Sequence, residues 1–143
     1  MSGENISIPL DIPGVKVNEV VIDPDGHLEI YISSTIKGTP CHCCGQIIHT
    51  PHGHDREIRI RHLSILGKPT YLRLRPIRYV CQTCPEYPTT TQRLSWYTSC
   101  CSVTHAYEDH ILRQLANSTV SDVSQKEGVG CDTIEDIMDR CVK

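Results

Sequence analysis

Two short runs near the start of the chain are rich in β-branched residues. They are Val17–Ile22 (VNEVVI) and His27–Ser33 (HLEIYIS), and the DPDG sequence between them is typical of a tight turn. The pattern predicts a β-hairpin. A short linker, Ser34–Pro40 (STIKGTP), follows it, so we place a boundary here and predict an N-terminal hairpin segment over residues 1–40.

Two further strands are indicated by alternation of apolar and basic residues, over Arg56–Leu63 (REIRIRHL) and Tyr71–Val80 (YLRLRPIRYV). The segment between them, Ser64–Thr70 (SILGKPT), has the glycine and proline of a turn. If the strands pair, their arginines share one face, which is either a ladder of positive charge or a plain solvated surface. Pro76 predicts an edge strand or a bulge, because proline cannot donate a ladder hydrogen bond.

Helical spacing replaces the alternation from about Val103 onward. A first helix is predicted up to Asn117–Thr119 (NST), whose residues favour helix starts, and two short helices follow over Val120–Glu127 and Thr133–Cys141. The GVGC sequence that begins at Gly128 forms the turn between them. This part, residues 101–143, fits the helix-turn-helix template, with apolar contacts between crossing helices from Val123, Val129, Ile134 and Ile137 and a small residue at Ser124.

The second helix of that motif would enter the DNA major groove. Its exposed side would carry six residues, four of them acidic: Gly130, Cys131, Asp132, Glu135, Asp136 and Asp139. Carboxylates that face phosphates repel them, so base contacts by this helix stay open. Asp132 and Glu135 also have the spacing of a capping box, which would stabilise the start of the helix.

The composition indicates that burial alone does not hold this fold. The 143 residues are 38% hydrophobic and include no Phe and one Trp, but nine Cys. An odd number of cysteines cannot all pair as disulfides, and no segment has the layout of a signal peptide or the length of a membrane span. We therefore predict a cytoplasmic protein that binds metal.

The net charge of −3 conceals a basic middle third. Residues 41–100 carry eight Lys/Arg against three Asp/Glu, whereas acidic residues are in excess on both sides. This distribution concentrates positive charge around the arginine strands.

Two Cys-x-x-Cys pairs, Cys41 with Cys44 and Cys81 with Cys84, have the spacing of zinc knuckles. A two-residue gap lets both thiolates of a tight turn point at one ion, and Gly45 tolerates the left-handed backbone that such turns favour. Two knuckles complete a closed four-cysteine site, which is structural and not catalytic. We predict one Zn²⁺ per chain, bound by two knuckles that lie on either side of the arginine strands in the sequence.

Cys43 lies inside the first knuckle, where too little chain separates it from Cys41 for both sulfurs to reach one ion. The other cysteines have no second partner pattern and are predicted to be small buried or idle thiols: Cys100, Cys101, Cys131 and Cys141. The histidines His49, His52 and His54 are alternative ligands if one cysteine is not used. We favour instead a position near the basic face, where they could approach phosphate.

The order of these features resembles the N-terminal region of ISL3-family transposases. In that family a CPxCG knuckle leads to an H-x-H, an R-D-L-P-x-G-G-x-P turn, an L-R-L-R-x-R-R-Y/F-x-C strand and a second knuckle. The chain has CHCCG and then HGHDREIRIRHLSILGKPTYLRLRPIRYVCQTC, followed by the helix-turn-helix. It departs from the family at Arg61–Ser64 (RHLS for R-D-L-P) and at His42, and neither change removes a ligand.

The resemblance covers the chain from about Ile12 to its end. It implies zinc at the four cysteines and an H-x-H at His52 and His54. It also implies a DNA-binding module that recognises the terminal inverted repeats of an insertion sequence in a bacterial cytoplasm. Family members continue into an RNase H-like catalytic domain, so we expect this chain not to be an enzyme by itself.

The expected architecture is therefore α+β: a small β-rich zinc ribbon with an N-terminal β-hairpin, followed by a helix-turn-helix of about three helices. The hairpin segment covers residues 1–40, the zinc ribbon residues 41–100 and the helix-turn-helix residues 101–143. The expected partner is double-stranded DNA; a homodimer is left open, and no membrane contact is expected. The residues predicted to contact DNA are His52, His54, Arg56, Arg59, Arg61, Lys68, Arg73, Arg75, Arg78 and Thr133.

Two other functions compete with DNA binding. In the first, the ribbon and the acidic helices dock onto another protein, and the chain has no specific DNA site. In the second, the cysteine pairs form a dithiol redox centre, which is disfavoured because no thioredoxin-like βαβ pattern surrounds them.

Overall fold

The computed structural model describes residues 10, 12–98 and 101–142, with side chains described up to residue 140. Cys100 and the side chain of Cys141 lie outside this part. The strands are β1 (Val15–Ile22), β2 (Leu28–Ser34), β3 (Thr39–Pro40), β4 (Ile47–Ile48), β5 (Thr50–His54), β6 (Ile58–Ile65), β7 (Lys68–Leu74), β8 (Ile77–Val80) and β9 (Thr89–Thr91). The helices are α1 (His105–Leu115), α2 (Val120–Glu127) and α3 (Cys131–Val142).

The predicted N-terminal hairpin is formed by β1 and β2, which pair antiparallel. The Asp23 carboxylate accepts hydrogen bonds from the backbone N–H groups of Asp25 and His27, at 3.0 and 2.9 Å, and Gly26 adopts a left-handed φ of +84°. These are the local interactions for which aspartate and glycine are favoured in turns. The DPDG sequence thus forms the turn that it predicts.

One four-stranded sheet, in the order β1-β2-β7-β6, joins the hairpin to the arginine strands. β6 and β7 pair antiparallel, and β7 pairs parallel with β2, with Ile30 opposite Leu72. The predicted boundary at residue 40 separates strands that share this sheet. Residues on both sides of it also share one core, because Ile30 and Leu72 pack together there and are fully buried.

The turn between β6 and β7 is shorter than the predicted seven residues. Ile65 pairs with Lys68, so only Leu66 and Gly67 connect the strands. Both have positive φ, +52° and +75°, which is typical of a two-residue type I′ hairpin. The strands extend into the predicted turn because a two-residue connection matches their twist.

Pro76 ends the long strand predicted over Tyr71–Val80. β7 stops at Leu74, and β8 begins at Ile77 in a different, three-stranded sheet with the order β5-β8-β9. A proline in mid-strand removes a ladder donor, and here the chain uses that position to change sheets. β8 thereby leaves the arginine strands and leads directly to the second cysteine pair.

The ribbon is completed by the short pair β3 and β4, which brackets the first cysteine pair. Its small core contains Cys41, Ile48, Tyr79 and Cys81. The larger core beneath the four-stranded sheet is closed by Leu94 and Trp96. Two cysteines thus belong to the interior of the ribbon, which has few other apolar residues to bury.

The helical part has the three helices that the sequence predicts. Thr119 caps α2 by accepting a hydrogen bond from the Asp122 N–H, and Gly128 ends α2 in the left-handed conformation. The Ser124 hydroxyl donates to the Val129 carbonyl at 2.6 Å and fixes the turn. Four predicted contact residues belong to the helical core, with Val123, Ile134 and Ile137 fully buried and Val129 packed against them.

The second helix of the motif begins at Cys131, two residues before its predicted start. Ile134 N–H donates to the Gly130 carbonyl, which is the first helical hydrogen bond. The predicted capping box at Asp132 and Glu135 is wrong in this respect, because Asp132 already lies in the first helical turn. Its carboxylate is still favourable there, since it lies at the positive end of the helix dipole.

Short backbone ladders attach the helical part to the ribbon. Arg61 donates its N–H to the Ser102 carbonyl at 2.8 Å, and Thr104 donates to the Arg61 carbonyl at 2.9 Å. His105, the first residue of α1, donates to the Trp96 carbonyl at 3.0 Å. The architecture is α+β, with a ribbon region followed by helix-turn-helix-like helices, as predicted.

Candidate metal centre and nucleic-acid interface

The four predicted zinc ligands meet at one point. The Sγ atoms of Cys41, Cys44, Cys81 and Cys84 all lie within 4.8 Å of one another. The Cys41–Cys84 and Cys44–Cys81 sulfur distances are both 3.9 Å. A tetrahedral ion with Zn–S bonds of about 2.3 Å has sulfurs about 3.8 Å apart, so the spacing fits zinc.

The first knuckle is a tight turn that aims backbone donors at sulfur. Cys43 N–H donates to Cys41 Sγ at 3.4 Å, and Gly45 N–H donates to the Cys41 carbonyl at 2.9 Å. Gly45 has a φ of +78°, which an L residue adopts only with strain. Hydrogen bonds from the Cys44 and Cys43 N–H groups lower the pKa of Cys41 and favour its thiolate.

The second knuckle favours a thiolate by the same means. The hydroxyl of Thr83 lies 3.2 Å from Cys81 Sγ, and this contact, with backbone N–H donors, lowers the pKa of Cys81 to about 6. The pKa of Cys84 is raised, because its thiol donates to Cys81 and Cys44. A zinc ion would replace this shared proton and bind four thiolates, so the donor set fits a structural Zn²⁺.

Two cysteines outside the four-cysteine set, Cys43 and Cys131, are both exposed. Cys43 is exposed, and although it lies close to Cys41 and His42, the His42 ring already shares a 2.8 Å hydrogen bond with the Thr90 hydroxyl. Cys131 is exposed on α3, in a different part of the fold. Among the described residues, the four-cysteine set has the four thiols and the geometry of a closed site.

A buried glutamate organises the arginine face of the four-stranded sheet. Glu29, on β2, accepts hydrogen bonds from Arg59 at 3.1 and 2.5 Å and from Arg73 at 2.7 Å. Arg73 also donates to Glu57 at 2.8 Å. The hydrogen bond from Arg59 is the main cause of a lowered pKa for Glu29. Of the arginines in the two strands, Arg59 and Arg73 are directly opposite each other, and carboxylates neutralise part of their charge.

Tyrosine rings lie among these arginines. The Arg59 guanidinium sits 3.5 Å from the centroid of the Tyr71 ring, and Arg73 lies 5.8 Å from that of Tyr31. The face of an aromatic ring attracts a guanidinium, so each contact restrains the position of its arginine. Arg59 and Arg73 are therefore fixed in position before any ligand arrives.

Arg61 lies at the join between sheet and helices and not on the surface. Its side chain is only 4% exposed and is placed between Tyr107 and Tyr71, at 4.7 and 5.5 Å from their ring centroids. The guanidinium is 3.9 Å from the Glu127 carboxylate. Because its side chain is buried in this way, Arg61 is not available for the phosphate contact that the sequence predicts.

The other residues predicted to contact DNA differ in their exposure and in whether they form ion pairs. Arg78 pairs with Asp55 at 3.1 Å, and Lys68 is half-buried beside the β6–β7 turn. His52 and His54 are both exposed on β5. Within the part of the chain that the structure describes, Arg56 and Arg75 are exposed and form no ion pair.

The exposed side of α3 is acidic, as predicted. Asp132, Glu135, Asp136 and Asp139 are all exposed, and Thr133 is half-buried in the first turn. Arg140, near the end of the helix, is bound to Glu108 of α1 through a 2.9 Å hydrogen bond from its Nε atom. The basic residue nearest the helix end is therefore used for packing between helices.

No helix in the described part of the chain has both the length and the apolar character that crossing a membrane requires. No curated protein and no solved structure was found to match the chain. Two family models do match it. Residues 37–84 match the zinc-finger of transposase IS204/IS1001/IS1096/IS1165, and residues 101–142 match the helix-turn-helix domain of transposase family ISL3. The chain therefore carries the zinc-ribbon and helix-turn-helix domains of the N-terminal region of ISL3-family transposases.

Proposed function

We propose that this chain binds the terminal inverted repeats of an insertion sequence as the DNA-binding part of an ISL3-like transposase. The observation that carries the proposal is the direct connection of the two matched domains, in which Arg61 on β6 bonds through its backbone to residues 102 and 104. Two DNA-binding elements held at a fixed distance can contact one continuous site. Each phosphate contact adds about 0.9 to the dependence of log affinity on log salt concentration.

The proposed DNA-facing surface is the basic end of the ribbon, defined by His52, His54, Arg56 and Arg75. These residues lie where the four-stranded sheet meets the three-stranded one, since Arg56 precedes β6, Arg75 follows β7 and the histidines lie on β5. All four are exposed. Arg59, Arg73 and Arg78 contribute positive charge nearby, reduced by their bound carboxylates.

The role of zinc in this proposal is structural. One ion per chain, bound by the four cysteines, would fix the β4–β5 segment relative to β8 and so hold the histidines of β5 beside the arginines. When bound, the ion supplies four strong cross-links and no reactive site. Neither matched domain is a catalytic one, and the expectation that the chain alone does not transfer DNA strands stays a prediction.

The test is binding of the zinc-loaded chain to a duplex of the element's own end and to a scrambled duplex of equal length. The variant Arg56→Glu with Arg75→Glu should weaken binding to both duplexes by more than tenfold. It should also reduce the slope of log affinity on log salt concentration by an amount that corresponds to about two phosphate contacts. Lys16→Glu with Lys37→Glu is the matched control, because both lysines are exposed outside this surface. A wild-type chain without preference for the element's end would contradict the proposal.

A protein-docking function is the second candidate, and the acidic exposed side of α3 favours it. In this case Glu135→Gln with Asp136→Asn would abolish binding to a basic partner subunit and leave DNA affinity unchanged. Under the DNA proposal the same pair of changes increases DNA affinity modestly, because it removes two repulsive charges near the phosphates.

A further inference from the structure

The tip of the β6–β7 hairpin carries an unusual residue. Leu66 is 93% exposed, the highest value among the exposed large apolar residues described. It also has a left-handed φ of +52° at the first central position of a two-residue turn. Exposure and backbone strain coincide at this one leucine.

Neither the stability nor the solubility of the fold explains this choice. The first position of a type I′ turn favours asparagine, aspartate or glycine, and an L residue with a branched, bulky side chain is strained there. A residue that is strained and fully exposed points to a contact outside the chain.

We propose that Leu66 is an apolar wedge that inserts between neighbouring base pairs of duplex DNA. The proposal rests on the DNA-binding function above. Because the tip lies at the end of β6 and β7 opposite to Arg56 and Arg75, the duplex would run along these two strands in order to contact both. Proteins that kink DNA insert leucine, isoleucine or similar side chains at a base step, and the tip of a two-stranded ribbon is narrow enough to reach one. The run from Arg61 to Thr70 contains no Asp or Glu, and Lys68 lies directly after the turn.

The charges around the tip restrict the form of this contact. Because Leu28 pairs with Thr70 in parallel register, the β1–β2 turn with Asp23 and Asp25 lies at the same end of the sheet. Phosphates are therefore accommodated on the side of Lys68. The contribution of Leu66 is apolar, so it affects affinity and DNA shape but adds nothing to the salt dependence.

The decisive variant is Leu66→Asn, since it creates the Asn-Gly pair that this turn favours. The full zinc-loaded chain is tested with duplexes of the element's end and of scrambled sequence, labelled at both ends for bending and carrying 2-aminopurine for unstacking. We expect the melting temperature to stay equal or to rise by a few degrees. We expect affinity to fall about tenfold, bending and unstacking to be lost, and the salt dependence to stay the same.

Ile47→Asn is the matched control, because Ile47 is 58% exposed on β4 in a different sheet and should leave all DNA measurements unchanged. If the wild-type chain binds DNA but Leu66→Asn binds and bends it equally, the wedge is refuted while the proposed function stands. If the wild-type chain binds neither duplex, both fall. If Leu66→Asn changes only sedimentation of the free chain, the tip contacts protein, which also overturns the wedge.

Discussion

The guanidinium of Arg61 lies 3.9 Å from the carboxylate of Glu127 and thereby joins the β6 strand to the end of α2. The same carboxylate accepts a hydrogen bond from the Tyr107 hydroxyl at 3.0 Å and lies 2.9 Å from the His110 ring. Tyr107 is fully buried, and both its burial and the neighbouring carboxylate raise the pKa of its hydroxyl. A single acidic residue thus connects ribbon and helices.

Arg61→Ala should reduce the free energy of unfolding by about 2–3 kcal/mol, because it leaves the Glu127 carboxylate half-paired in a largely buried site. Urea unfolding followed by circular dichroism measures this loss. Arg75→Ala, at an exposed arginine, should change stability by less than about 0.5 kcal/mol. A loss of equal size in both variants would mean that the Arg61–Glu127 join does not stabilise the fold.

Removal of zinc should unfold the ribbon. Binding energies of roughly 10–16 kcal/mol for structural zinc exceed the whole stability of most small domains. Two of the four ligands, Cys41 and Cys81, are also part of the small ribbon core. We expect a strong chelator, or Cys84→Ser, to abolish the β-sheet signal in circular dichroism.

Cys43→Ser is the control for this prediction, because Cys43 is exposed within the same knuckle but outside the four-cysteine set. It should retain one zinc per chain by native mass spectrometry and an unchanged spectrum. An unchanged spectrum of the wild-type chain after verified loss of zinc would show that the ion is not needed for folding.

Glu29→Gln should have opposite effects on stability and on DNA affinity. It removes the carboxylate that binds Arg59 and Arg73, so we expect a loss of about 1–3 kcal/mol in the free energy of unfolding. It also frees positive charge on the sheet, so we expect DNA affinity to rise several-fold and the salt dependence to increase. Equilibrium unfolding and fluorescence anisotropy measure the two effects.

Glu57→Gln provides the comparison, since Glu57 is an exposed carboxylate whose partner among the described residues is Arg73. It should increase DNA affinity less and cost less stability, because exposed ion pairs contribute about 0–1 kcal/mol. Weaker DNA binding by Glu29→Gln than by the wild type would mean that the arginines must be held by Glu29 in order to bind DNA.

Local patterns predicted the hairpin, the arginine strands and the three helices, but not the short strands β3, β4, β5 and β9 or the contacts between distant segments. The alternation in HLEIYIS predicts that Glu29 and Tyr31 lie on the side of the strand opposite to Leu28 and Ile30. In the structure Glu29 lies on that predicted side. The pairing of Glu29 with Arg59 and Arg73 depends on the parallel contact of β2 with β7, between segments about 40 residues apart. No local signal specifies that contact.

The metal centre and Arg61 illustrate the same difference. The Cys-x-x-Cys spacing dictates a local turn, so the four ligands could be chosen before any tertiary structure was known. Arg59 and Arg61 occupy equivalent positions in the alternating pattern of β6. Only the helical part distinguishes them, because Val103 forms a β-bridge with Arg61 and the Tyr107 ring covers its side chain. Their different burial could not be predicted from the strand alone.

The stability of the fold should decrease as the pH falls below about 6.5. Buried His62 shares a 2.9 Å hydrogen bond with the Thr104 hydroxyl, and burial lowers its pKa. The unfolded chain therefore binds a proton on His62 at a higher pH than the folded chain does, so acidification favours unfolding by at most about 1.4 kcal/mol per pH unit for this group. The lowered pKa of Glu29 adds a second loss of stability below its ordinary pKa of 4.5.

Urea unfolding between pH 4 and 8 measures both losses of stability. His62→Gln should remove the upper phase, the loss that begins near pH 6.5, whereas His52→Gln, at an exposed histidine, should retain it. An upper phase that persists in His62→Gln would assign it to another group.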